Sequence, residues 1–156
     1  MADSDVLRAP HVLEYPYLRS VGPVIGAFLT ALRDGRILGA RSSTAEGVPT
    51  VVVPPTEYDP LTGRDVGELI EVGASGVVTT WSWAAAPKRD QPLDRPFAWA
   101  LVRLDGADTA MLHVVDAPGP EALSSGARVT ARFRPADERV GSMADVEAFV
   151  LEGGAS

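Results

Sequence analysis

Six short runs rich in β-branched and aromatic residues follow one another along the chain: ELIEV, GVVTTWSWAA, FAWALVRLD, TAMLHVVDA, ARVTARFRP and DVEAFVL. Each is closed by Gly, Pro or Asp, the residues that turn a chain, so the runs read as successive strands. Short strands in series predict a small barrel. The clearest alternation places Ala127, Val129, Ala131 and Phe133 on one side and Arg128, Thr130, Arg132 and Arg134 on the other, one face buried and one wet. Residues 97–104 are instead apolar on both faces until Arg103, which predicts either a strand covered on both sides or a face that meets a partner.

Ahead of this pattern lies GPVIGAFLTALRDG. Pro23 stands in a first-turn position, Gly35 falls just past the end, and Val24, Ile25, Phe28, Leu29 and Leu32 recur at helical spacing, which predicts a short amphipathic helix over residues 23–34. Residues 1–19 mix proline, charge and the pair Tyr15 and Tyr17 without a period. They read as an extended arm, of the kind that packs on something. Between helix and barrel, RILGAR and TVVV are brief extended pieces within or beside RSSTAEGVPTVVVPPTEYDPLTG, where Pro54, Pro55, Pro60 and Gly63 exclude continuous regular structure. This stretch has the cadence of a small metal-binding knuckle, yet it contains no cysteine and no histidine. The expected organisation is an arm and helix over residues 1–35, a knuckle over 36–68 and a barrel over 69–152.

Composition narrows the function classes. Fourteen Lys and Arg against twenty-one Asp and Glu give a net charge of -7, a field that repels phosphate backbones, so nucleic acid is not the expected partner. Without cysteine there is no disulfide framework and no thiolate nucleophile. The N-terminus carries acids where a signal peptide needs a basic start and an apolar run, which fits a cytoplasmic protein. The longest uncharged stretch, residues 72–87, falls short of the ~20 apolar residues that cross a bilayer, so no membrane partner is expected.

Catalysis is hard to assemble from these residues. A serine triad needs Ser, His and a carboxylate in mutual reach, and the histidines are only His11 in the arm and His113 in a predicted strand. There is no G-x-S-x-G elbow. His113 reads as a half-buried strand histidine with a backbone or carboxylate partner. The acid pairs Asp105 with Asp108 and Glu68 with Glu71 fall at turns or strand edges, where solvated charge is ordinary. No catalytic residue is assigned. Trp81, Trp83, Phe97 and Trp99 cluster on successive strands. Stacked bases would need a basic groove that is missing, so these rings read as core or as interface anchors.

The order of arm, helix, knuckle with paired prolines and five-stranded barrel resembles a known family: acyl-CoA-associated proteins that join an N-terminal helix, a rubredoxin-like zinc ribbon and an OB-fold (domain of unknown function number 35). The resemblance is carried also by PLDRPFAWALVRLDGADTAMLHVVDA and by ERVGSMADVEAF, and it covers most of residues 22–151. It implies a mainly β protein in which a short helix and a degenerate ribbon precede a five-stranded OB-fold. In that family the ribbon carries C-x-x-C, a Pro-Pro stretch and a second C-x-x-C-G. The matching positions here are Ser42 and Ala45, then Pro54 and Pro55, then Asp59 and Thr62 before Gly63. Because a structural zinc site wants four thiolate or imidazole ligands, the resemblance implies a ribbon kept for its shape without metal. Pro-Pro rigidity, the Asp59-Pro60 turn and packing of Val51, Val53 and Tyr58 would replace the staple.

Members of this family are commonly non-catalytic subunits of thiolase-superfamily enzymes. Cysteine-free versions look most like the subunits of aldolases that shorten steroid side chains as CoA thioesters. The implied partner is a thiolase-fold aldolase or thiolase in a hetero-oligomer, with no cofactor on this chain and a CoA thioester at or near the interface. Tyr15, Tyr17, Phe28, Trp81, Trp83 and Trp99 are the expected contact residues. Arg128, Arg132 and Arg134 could clamp CoA phosphates, although such a row is commonly the wet face of a strand. Two other readings remain: a stand-alone OB-type module for a polyanion, and a small acyl-CoA thioesterase.

Overall fold

A computed structural model describes residues 9–16, 20–43, 47–59 and 62–153. The helix α1 runs Pro23–Arg33. Strands β1 (Ile37–Ser43), β2 (Pro49–Val52) and β3 (Leu69–Val72) form an antiparallel sheet in the order β2-β1-β3. Five further strands close a barrel in the order β4-β5-β6-β8-β7: β4 (Ser75–Ala84), β5 (Phe97–Leu104), β6 (Met111–Asp116), β7 (Arg128–Phe133) and β8 (Val146–Leu151). The β6 and β8 pair is parallel and the others are antiparallel, which is the Greek-key closure of an OB-fold. Of the six β-type runs, ELIEV is the one outside the barrel. It becomes β3 and pairs with β1, because Gly73 turns the chain between β3 and β4.

The strand that is apolar on both faces is covered on one face throughout and on the other only at its start. Ala98, Ala100, Val102 and Leu104 face the main core with Val78, Met111, Val115, Val129 and Phe149. Phe97 faces the other way, into a small second cluster with Leu93, Val114 and Ala148. Leu93, from the β4–β5 connection, is therefore what shields the outer side of β5 at its start. Further along, that outer face is bare at Leu101.

The helix joins the main core through Phe28 and Leu32. It ends as its sequence suggests. Gly35 adopts φ 76°, its N–H reaches Leu32 O, and Arg36 N–H reaches Ala31 O, a Schellman closure that a side chain with Cβ would strain. Its start has no local side-chain cap. Instead the carboxylate of Glu57, 32 residues away from Ile25 along the chain, accepts the N–H groups of Ile25 at 2.8 Å and Val24 at 3.3 Å. Gly22 at φ 82° leaves the space that the carboxylate occupies. An acid at a helix N-terminus satisfies orphan donors and complements the helix dipole.

The knuckle sheet is clasped to the barrel by the β5–β6 turn. Asp108 Oδ2 accepts Val51 N–H at 2.7 Å and Asp108 N–H returns to Val51 O at 2.9 Å, while the Thr109 hydroxyl bridges Val53 N–H and Val53 O. Opposite, the Met143–Asp145 3₁₀ turn packs on α1. Asp145 is 1% exposed and its carboxylate accepts the N–H groups of Val140, Gly141 and Ser142. Burial pushes its carboxyl up, but these bonds and the Ser142 hydroxyl together outweigh burial and hold it below the ordinary carboxylate value.

Glu57→Ala removes both bonds at the helix start. It is expected to cost about 1–2 kcal/mol, read as a lower midpoint in urea with an unchanged slope.

Candidate functional site

Three of the four ribbon positions converge. Ser42 on β1 donates its hydroxyl to Asp59 Oδ2, and Asp59 Oδ1 accepts the Thr62 N–H at 3.1 Å. Asp59 itself is buried, with its N–H on Arg64 O and its carbonyl accepting Gly63 N–H. The fourth position, Ala45, lies outside the described residues. These groups satisfy one another and do not fit a structural zinc: one carboxylate is already committed to two donors, and neither thiolate nor imidazole is present. The described residues hold no group of three or more His, Cys, Asp or Glu side chains able to bind a metal ion. Val53 is buried and Val51 packs on the core, as the sequence suggests. Tyr58 does not. It is 63% exposed, because it forms an isolated bridge with Asp65 at the outer edge of the knuckle.

The expected contact residues separate. Tyr17 lies outside the described residues. Tyr15 is exposed, together with Val12 and Leu13, and every residue of 9–16 is exposed. Phe28 corrects the expectation for the helix: at 2% exposure it belongs to the core, because the apolar stripe of α1 is spent on the barrel. Trp81 and Trp83 share a face, opposite Ala100 and Ala98, and rest half-buried against the main core. Trp99 lies on the outer side of β5, edge-on to Phe97 at 5.4 Å.

That outer side carries a groove of about 410 Å³. One wall is the β4–β5 connection at Asp90, Gln91 and Pro92. The other is the β7–β8 connection with Arg134, Met143 and Ala144. Its floor is Trp99, Leu112 and Val114, and at its end lie His113, Val146 and Glu147. These two loops and the face of the second and third barrel strands are where OB-folds hold their ligands. The groove forms because β6 and β8 pair only at Val115 with Phe149 and Asp116 with Val150, so the wall splits toward the start of both strands.

His113 closes the split. Its Nε2 lies 3.3 Å from Met143 O and its ring stands edge-on to Phe149 at 5.6 Å. A carbonyl only accepts, so Nε2 carries the proton, leaving Nδ1 a bare acceptor that is buried without a hydrogen-bond partner among the described residues. Burial pushes the imidazole below its ordinary value, by more than the Met143 and Val114 backbone contacts raise it.

The arginine row divides as well. Arg128 is bidentate to Asp105 at 2.7 Å and also meets Glu152, while Arg132 joins Asp116 at 2.8 Å and Glu147 at 2.6 Å. Arg134 alone of the three has no carboxylate within ion-pair distance among the described residues; its Nε donates to Ala144 O at 2.7 Å. Of the acid pairs, Asp105 serves Arg128 and Asp108 serves Val51, while Glu68 and Glu71 meet Arg41 and Arg36. Sequence reasoning missed Leu112, Glu57 and Asp145. Strand alternation around His113 would have put Leu112 outside, and the Ser142-to-Asp145 spacing is that of a capping box. Glu57 left no local signal.

Residues 69–134 match a family model described as "ChsH2, C-terminal OB-fold domain". Among solved structures, a chain of the "Ltp2-ChsH2(DUF35) aldolase" is similar at 20% identity and TM-score 0.61, over 88% of this chain and 98% of that one. A DUF35 family protein of unknown function from Sulfolobus solfataricus is similar at 18% identity and TM-score 0.54, over 71% of this chain and 78% of that one. At these identities the likeness is one of fold. No curated protein matches the chain by sequence. The recognition of this family from residue order and the OB-fold reading agree with these matches. No helix among the described residues is long and apolar enough to cross a membrane.

Asp59→Ala should destabilise the protein by about 2 kcal/mol in denaturant titration, while a chelator leaves the melting temperature unchanged and elemental analysis finds no stoichiometric zinc. His113 gives a pH test. Its folded pKa lies below the ordinary 6.5, so the unfolded chain binds more protons as pH falls through about 6.5, and stability should drop there. In melts between pH 7 and pH 5, His113→Gln should flatten that slope.

Proposed function

We propose, on the premise that residues 69–134 are an OB-fold domain of the ChsH2 C-terminal family, that this chain is a non-catalytic accessory subunit of an aldolase or thiolase. The partner has a thiolase fold and supplies the chemistry. Its substrate is an acyl-CoA thioester bearing a steroid side chain, cleaved in the retro-aldol direction at a β-hydroxyacyl group. The complex is a hetero-oligomer with the thioester near the interface.

One observation carries this reading: the buried ionisable groups among the described residues, Asp59, His113 and Asp145, each make hydrogen bonds that hold the fold. Asp145 caps a 3₁₀ turn, Asp59 ties the knuckle, and His113 donates to the Met143 carbonyl with no hydroxyl or carboxylate on its ring. Among the described residues no imidazole is hydrogen-bonded to a hydroxyl or a carboxylate, which argues against a thioesterase. A polyanion module is disfavoured by the ion-paired Arg128 and Arg132. The similar chain described as part of an aldolase supports the choice of partner. So does the exposed apolar arm at Val12, Leu13 and Tyr15, since such segments mark interaction sites.

Co-expression with a thiolase-fold protein encoded beside it should give a stable heteromer on gel filtration, and the isolated chain should turn over no acyl-CoA thioester. Tyr15→Ala is expected to weaken the complex roughly tenfold. A lone chain that hydrolyses or cleaves a thioester would overturn the reading.

A further inference from the structure

We propose that the groove between the β4–β5 and β7–β8 connections is a binding site in its own right, for a small amphipathic carboxylate. The apolar body of the ligand lies on Trp99 and Leu112, and its carboxylate meets the guanidinium of Arg134. This goes beyond the accessory role and needs no partner chain.

Four observations converge on it. The volume, about 410 Å³, falls within the range of small-molecule sites, roughly 300–1,000 Å³. The floor is apolar and includes a large side chain with no structural reason to face water: Leu112 is 59% exposed, beside half-buried Trp99. Arg134 stands at the margin with only its Nε committed, to Ala144 O, so its terminal nitrogens keep the planar fork that recognises a carboxylate. Of the two acids that line the groove, Glu147 is already paired with Arg132 Nε at 2.6 Å, and Asp90 belongs to the other loop. Finally, His113 is 8% exposed and lines the same groove, and its buried Nδ1 has no hydrogen-bond partner among the described residues, which is uncommon in a folded protein.

The test is calorimetric titration of the full-length chain with decanoate and, separately, with decanol, which has the same apolar body and no charge. One saturable site is expected, with decanoate bound roughly tenfold or more tightly than decanol, the difference a charge-assisted bond supplies. Arg134→Gln should bring decanoate down to the level of decanol. Arg134→Lys, which keeps the charge, should recover part of the preference and so separates charge from any shift of the 134–145 loop. Leu112→Asp, at an exposed position that the fold tolerates, should weaken both ligands, and Tyr58→Asp on the distant knuckle should change neither. The proposal is overturned if decanoate and decanol bind equally, or if Leu112→Asp leaves decanoate binding intact. It is overturned too if neither ligand binds while Leu112→Asp releases a protein partner, which would make the groove a protein interface.

Discussion

Closure of the barrel depends on β4, which is hydrogen-bonded along its whole length to β5 and at its first residues to β7. The pairs Ser75–Thr130, Gly76–Val129 and Val77–Arg128 are the only ladder joining the two ends of the sheet. Closing a sheet removes its edges, which is how a five-stranded structure this small buries Val78, Val102, Val129 and Phe149 completely. Gly76 makes the closure possible: a Cβ there would stand 2.3 Å from Arg103 O, so a side chain would push β5 away from β4. The same closure sets the position of the two loops that bound the outer groove. On the side of β6 and β8 it is incomplete, and that gap gives the groove its depth.

The helix and the knuckle depend on the barrel in turn. Their attachments are polar and long-range: Asp108 and Thr109 on β2, Glu57 on the helix start, Arg139 on the last turn of α1 and over the Phe133 ring. The hydrogen bonds among them each match a particular backbone group to a particular distant side chain, so the joints are specific in register, whereas apolar contact alone would let the elements slide. Within the knuckle the Ser42–Asp59–Thr62 bonds tie β1 to the turn at residues 59–63. A carboxylate with two donors constrains that geometry by hydrogen bonds within one short segment, and it does so without a thiol that could be oxidised.

A consequence for function is that polar chemistry and exposed apolar surface are segregated. Buried charges hold turns and loops, and Leu112 and the arm residues Val12, Leu13 and Tyr15 are among the large apolar side chains left exposed.

Local pattern alone determined much of this. The five barrel strands, the helix from Pro23 with its glycine stop, and the inward set Val129, Ala131 and Phe133 all follow from periodicity and turn chemistry, which act over a few residues. The order of these elements was enough to place the chain beside its structural relatives. What tertiary structure decided was each choice between equivalent local options. ELIEV has the same strand propensity as its neighbours, but it pairs with β1. Phe28 and Tyr15 are both large and apolar, and packing buries the first and leaves the second in water. Three arginines alternate alike on and just past one strand, yet only Arg134 lacks a carboxylate, because the acids that neutralise the other two come from β6, β8 and the turn after β5. The cap supplied by Glu57 and the groove at Leu112 belong to the same class: they are made by residues far apart in the chain, and a one-dimensional pattern carries no record of which distant group will arrive.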